Sequence, residues 1–306
     1  MAILDLSQRF WGKKVVVYLF FEGAGAGCYF IASLMGILNK NFKPLFRSGT
    51  LAGILLVVLG AFFLWLDLGR KGRIFKAARN LAGSWIARGV SVVAGFLLSA
   101  ILYFMVSTWS TNWTANTTWL KMIWTSLNAL LALAVLTYPA MVLKSCKAFR
   151  IWDNPMLILL FILLSFLSGE SVLLLIGALG QLHQIIHTDL LSLIQFLLAL
   201  SASLTMGTAA VFGIYLTASA ISTESGRTFL ISLTQGKFRV LFALFVVVGT
   251  VMPLILVSIG LTSRVLGVVQ VTALVDGALL LFSSYLLRYL ILVSPTRENP
   301  VLPGMM

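Results

Sequence analysis

The chain has 306 residues, 60% of them hydrophobic and only 10% charged, with a mean hydropathy of +1.03. That much apolar surface excludes a water-soluble domain and makes a bilayer the solvent. The net charge of +13 would suit a nucleic-acid binder, yet the basic residues fall between apolar runs, where topology signals sit, so no nucleic-acid partner is expected.

Eight apolar runs follow in order, at 15–38, 49–68, 85–107, 121–143, 156–178, 189–218, 238–260 and 272–293. Each is long enough to cross a hydrocarbon layer of about 30 Å at 1.5 Å per residue, which predicts an all-α polytopic membrane protein. The first run lacks a small-residue cleavage site after it and reads as a retained helix. Inside it, FFEGAGAGCYF (20–30) places Glu22 about 10 Å below the basic face. Tyr18, four residues earlier, points from the same side of the helix. Gly23 and Gly27 make a small-xxx-small pattern that lets a neighbouring backbone approach. GAGAG lies within a span with no strand before it, so it is not a dinucleotide loop.

Further along, the 108–120 loop carries two sequons, at Asn112 and Asn116, and an interfacial belt of Trp109, Trp113 and Trp119. Glu170 falls late in the fifth span, about 20 Å in from the basic side, and Asp276 near the opposite face in the eighth. With Glu22 they form a staircase in depth. Ionisable groups in a bilayer are functional candidates by default; the plainer reading is a protonated carboxyl on a backbone carbonyl, or a pair with Arg88. The long sixth span is expected to tilt or kink near Gly207 or Gly213. His183 and His187 lie one helical turn apart without an acidic or Cys companion and read as loop histidines. They cannot face each other across a haem. Cys28 and Cys146 make no metal-ligand spacing, so no haem, iron–sulfur cluster or other metal is expected on this chain.

An even number of spans leaves both termini on one side. That side holds seventeen Lys and Arg residues, Arg288 among them, against five on the other. The positive-inside rule places it in the cytoplasm. So dense a basic face also suits docking of an acidic partner.

WLDLGRKGRIF (65–75) resembles the D-L-G-R-P-x-R-F signature of the NrfD/PsrC family, the polysulfide-reductase-type membrane subunits of iron–sulfur molybdoenzymes and related respiratory complexes. NLAGSWIARGV (80–90) resembles its N-x-x-S-W-x-S-R-G stretch. The segment 138–169, from Tyr138-Pro139 to Leu167-Ser168-Gly169, resembles its Y-T-G … L-S-G-L pattern, and QGKFRVLFALFVVVGTVMPL and LLRYLIL fit too. Lys71 replaces the usual Pro, and Pro139-Ala140 replaces Thr-Gly.

The resemblance implies two four-helix bundles, 1–145 and 146–306, docked to a ferredoxin-like iron–sulfur subunit and, beyond it, a larger catalytic redox subunit with molybdenum or another centre. It implies exchange with menaquinone at the docking face, with Tyr18, Tyr138, Asp67 and Arg70 as quinone contacts. Arg73, Lys76, Arg150 and Trp152 are the expected docking residues. On this reading Glu22 is the catalytic proton acceptor, and Glu22, Glu170, Asp276 and Arg88 outline a proton path. Many relatives place the docking face outside the cytoplasm, against the charge count. Two other readings stand beside this one: a purely structural anchor, and a proton-coupled secondary transporter. The transporter predicts matching breaks in the two halves, whereas Pro139 and Pro253 interrupt single helices.

Overall fold

The structure is a computed structural model in which residues 13–38, 43–67, 84–109, 118–146, 149–179 and 187–294 are described. Among them the regular structure is helical throughout: α1 (Lys13–Leu38), α2 (Lys43–Asp67), α3 (Trp85–Trp109), α4 (Thr118–Lys144), α5 (Met156–Ala178), α6 (His187–Ser222), α7 (Glu224–Thr234), α8 (Arg239–Val246), α9 (Met252–Thr262) and α10 (Leu266–Val293). A 3₁₀ turn, Arg150–Trp152, precedes α5. Eight stretches are long and apolar enough to span a membrane, the seventh being α8 and α9 taken together. In hydrocarbon every backbone group must be bonded within its segment, and that is why these runs fold as helices. The chain is therefore a multi-pass integral membrane protein.

α6 is helical from His187 to Ser222, Gly207 and Gly213 included. The interruption lies in the seventh span, where Val247–Val251 is a π turn between α8 and α9. Pro253 has no N–H, so the Gly249 carbonyl loses its helical partner. Ser283 on α10 donates its hydroxyl to that carbonyl at 3.5 Å. A Cβ on Gly249 would sit 2.0 Å from the same hydroxyl, so only glycine admits this contact.

The centre is built on α1 and α5, the two most buried spans. α1 packs on α2, α4, α5 and α10, and α5 packs on α6 and α10 as well. Glycines set the spacing. A Cβ on Gly27 would lie 2.0 Å from the Ser165 carbonyl, and one on Gly169 would lie 2.1 Å from the Cys28 amide. The two backbones thus touch, as small residues at four-residue spacing allow. On another face of α1, Gly25 and Gly53 do the same with α2. Apolar cores fill the rest: one among α1 to α4, and two involving α5, α6 and α10.

Candidate functional site

The α1–α2 contact fixes Glu22. A Cβ on Gly60 of α2 would meet the Glu22 amide at 2.9 Å, so α2 presses against the backbone at that residue. Glu22 is only 1% exposed, and the Tyr138 hydroxyl of α4 donates to its Oε2. The Tyr138 ring lies against the α3 backbone, where a Cβ on Gly89 would come within 2.4 Å of it. Tyr18 is buried and within electrostatic reach of Tyr138. Three of the expected residues, from α1 and α4, therefore converge at one place.

Beside them, on a different face of α1, lies a group that the sequence reading counted with the basic face. Arg288 is fully buried in α10 and is not a surface charge. Its Nη2 donates to Ser165 Oγ at 3.0 Å, and its Nη1 to the Ser284 hydroxyl and, at 3.3 Å, to the Ser284 carbonyl. Its Nε has no partner among the described residues. Gly23 makes room for it, since a Cβ there would fall 2.6 Å from Nη2. The spacing Ser284-x-x-x-Arg288 inside an apolar run was the available signal.

The other two acids do not continue a staircase; they form a pair. Asp276 of α10 accepts from Ser201 Oγ of α6 at 2.9 Å, and Glu170 of α5 interacts electrostatically with it. Both are fully buried. Antiparallel packing brings them level: Gly277 abuts the Ser171 carbonyl, its Cβ position 3.0 Å away. Both Glu170 oxygens and Asp276 Oδ1 lack hydrogen-bond partners among the described residues.

At the helix ends facing the termini, the docking residues divide. Arg150 is exposed, and Lys144 pairs with Asp153 at 3.8 Å. Trp152 is fully buried, its Nε1 donating to the Ile291 carbonyl at 3.2 Å and its ring 4.6 Å from Phe149. It anchors the turn that carries Arg150 and offers nothing to a partner's surface, so its expected docking role is withdrawn. A cavity of about 520 Å³ lies here, lined by Arg150, Asn154, Ser219 and Thr223 among others, and includes neither Glu22 nor Tyr138. Arg88, at the start of α3, lies 4.6 Å over the Trp85 ring. Arg70, Arg73, Lys76 and His183 lie outside the described residues, as does the Asp67 side chain at the end of α2. Among the described residues, no three His, Cys, Asp or Glu side chains stand together as metal ligands would.

A search of the curated proteins finds no match. The family described as "Polysulphide reductase, NrfD" matches residues 5–296. With that match running through all eight spans, the chain belongs to the NrfD polysulphide reductase family, membrane subunits of respiratory reductase complexes.

Proposed function

We propose that this chain is the membrane anchor and quinone-exchanging subunit of a respiratory oxidoreductase. It passes electrons between menaquinone and a docked ferredoxin-like iron–sulfur subunit, which serves a larger catalytic subunit with molybdenum or another redox centre. The observation that supports this best is the buried hydrogen bond from Tyr138 to Glu22, with Tyr18 alongside. A quinol supplies two electrons and two protons on oxidation, and the quinone takes up the same number in reverse. Its head group needs hydrogen-bond donors at its oxygens and a proton acceptor beside them. In this reading Glu22 is that acceptor, Tyr18 such a donor, and Tyr138 the hydroxyl that orients Glu22.

In this reading Tyr138 holds the Glu22 carboxyl in place, and Glu22 accepts or returns a proton. Burial of both excludes bulk water from the exchange, which strengthens each polar contact. Tyr18 is the further donor. Asp67 and Arg70, at and just beyond the end of α2, complete the quinone contacts. Arg73, Lys76 and Arg150 receive the partner. Arg88 is a further member of the proton path, and the Glu170–Asp276 pair is a second proton-holding site apart from it, across the seam of α1 and α5. The chain organises as bundles 1–145 and 146–306, in the cytoplasmic membrane with its termini inside the cell.

The test is Glu22→Gln in the complex purified from its native membrane in mild detergent. Quinol turnover is expected to fall at least a hundredfold while an iron–sulfur subunit still co-purifies. Unchanged turnover ends the assignment of Glu22. A chain that purifies stably with no iron-containing partner ends the electron-transfer reading.

A further inference from the structure

We propose that a proton held at Glu22 leaves through the core of the first four helices, by way of Tyr29, Asn128, Tyr103 and Thr125, and reaches the opposite face near Lys121. This rests on Glu22 as the proton acceptor and adds a route to it. On α1, Glu22, Ala26, Tyr29 and Ser33 follow at spacings of four, three and four, so they line one face of the helix. All four are 0–1% exposed. On α4, Lys121, Thr125 and Asn128 repeat that spacing from the other end. Ala26, Tyr29 and Tyr138 belong to one packed core with Phe96, Ala132 and Val135.

The polar atoms along this face are short of partners. By strict distance and angle, Tyr29 Oη, Ser33 Oγ and both side-chain polar atoms of Asn128 make no hydrogen bond to any described residue. Tyr29 and Asn128 nevertheless approach each other as a loose hydrogen-bonding pair that falls short of direct-bond geometry, with Tyr103 an electrostatic neighbour of Tyr29. An unsatisfied buried polar group costs about 1–3 kcal/mol, and proteins relieve that with bound water wherever two to four polar groups converge. Tyr29 and Asn128 supply such a cluster. Beyond it, Thr125 donates to the Tyr103 hydroxyl at 2.9 Å, and the Trp124 indole, stacked edge-on to Tyr103, donates to Ser99 at 3.0 Å.

Between Glu22 and Tyr29 the axial rise is about 10 Å, a gap that needs roughly two or three waters in file. Ala26 and Ala132, both fully buried in that core, are the small side chains of this stretch. Pro139 adds an acceptor there: lacking an N–H, it deprives the Val135 carbonyl of its helical partner. The alternative exit, from Glu22 straight across to Glu170, meets the seam where the α1 and α5 backbones touch at Gly27 and Gly169. No water fits between backbones at that separation.

The experiment uses the intact complex in sealed liposomes, driven by a water-soluble naphthoquinol with the oxidised substrate of its catalytic subunit as terminal electron acceptor, and with a pH-sensitive dye on the face opposite the docking side. Tyr29→Phe removes one hydroxyl, and Asn128→Leu removes both orphaned polar atoms. Each is expected to lower proton appearance on that face at least tenfold per quinol oxidised, with naphthoquinol affinity within about twofold of wild type. High-resolution electron cryo-microscopy of the same complex should show ordered water between Tyr29 and Asn128, lost in Asn128→Leu. Wild-type proton appearance in both variants overturns the route. So does a dry contact between those side chains, or a block by Glu170→Gln where these two variants conduct. Should Glu22→Gln leave quinol oxidation intact, the role of Glu22 fails separately from these outcomes.

Discussion

Replacing Gly27 by alanine places a methyl carbon 2.0 Å from the Ser165 carbonyl oxygen. Ordinary carbon–oxygen contact begins near 3.2 Å, so α1 and α5 must separate by about 1.2 Å or tilt. Nothing flexible can yield, because the obstructing atom is backbone. Overpacking of this kind costs roughly 1–3 kcal/mol. A second effect is functional: Glu22 sits about one and a half turns away on the same helix, and displacing a reacting group by 1 Å costs on the order of a hundredfold in rate. The control is Gly95→Ala on exposed α3, where a Cβ meets nothing within 4 Å. That change should be neutral or add up to about 1 kcal/mol, because alanine favours the helix. Thermal unfolding of the detergent-purified complex, measured with quinol turnover, separates the two. If Gly27→Ala and Gly95→Ala prove equally harmless, the close contact of α1 with α5 is not what holds the site.

Other expectations concern single polar contacts. Tyr138→Phe removes the only hydroxyl bonded to Glu22 among the described residues and should lower quinol turnover about tenfold, with assembly intact; full turnover would separate Tyr138 from the chemistry. Ser201→Ala strips the donor from Asp276 and should cost about 1–3 kcal/mol in thermal unfolding, since the carboxyl stays buried; an unchanged midpoint would mean Asp276 finds another donor. Arg288→Met replaces a buried guanidinium held by neutral groups with an apolar chain of similar length, so stability should hold or rise, by up to about 4 kcal/mol. A marked loss would reveal an ionic partner supplied by the assembled complex.

How much of this the sequence carried depends on the range of the contact. The eight spans were legible because each is a continuous apolar run, and Glu22 stood out by being charged inside one. Gly23 and Gly27 announced close packing through their spacing, although not that α5 was the neighbour. The pairing of Glu170 with Asp276 was not legible, because the antiparallel register of α5 against α10 is written in neither helix alone. Arg288 was misplaced for a related reason: a basic residue near the end of an apolar run looks like a topology signal until Ser165, over a hundred residues earlier, is seen to bind it. Trp152 was expected at the docking surface, because nothing in the sequence shows that the Ile291 carbonyl accepts its indole from within the fold. Pro253 did mark an interruption, but the hydroxyl that takes up the freed carbonyl comes from Ser283, in the next span. Tyr29 and Asn128 drew no notice, since one polar group per helix is ordinary and only their meeting is informative.

The seam between α1 and α5 also limits how this molecule can move. Rocking carriers expose a central site to alternate sides by swinging one group of helices against another, and that requires an interface able to slide or part. Here the two most buried helices are joined backbone to backbone at Gly27 and Gly169, with no side chains between them to change rotamer and lubricate a shift. Separation would open voids along both chains at once, and sliding would drive each carbonyl past the neighbouring ridge. A rigid frame suits a subunit that must hold an electron donor and acceptor at constant separation, because transfer across a gap falls steeply with distance. On the proposed reading, whatever passes between these helices has to be small enough to do so without their parting.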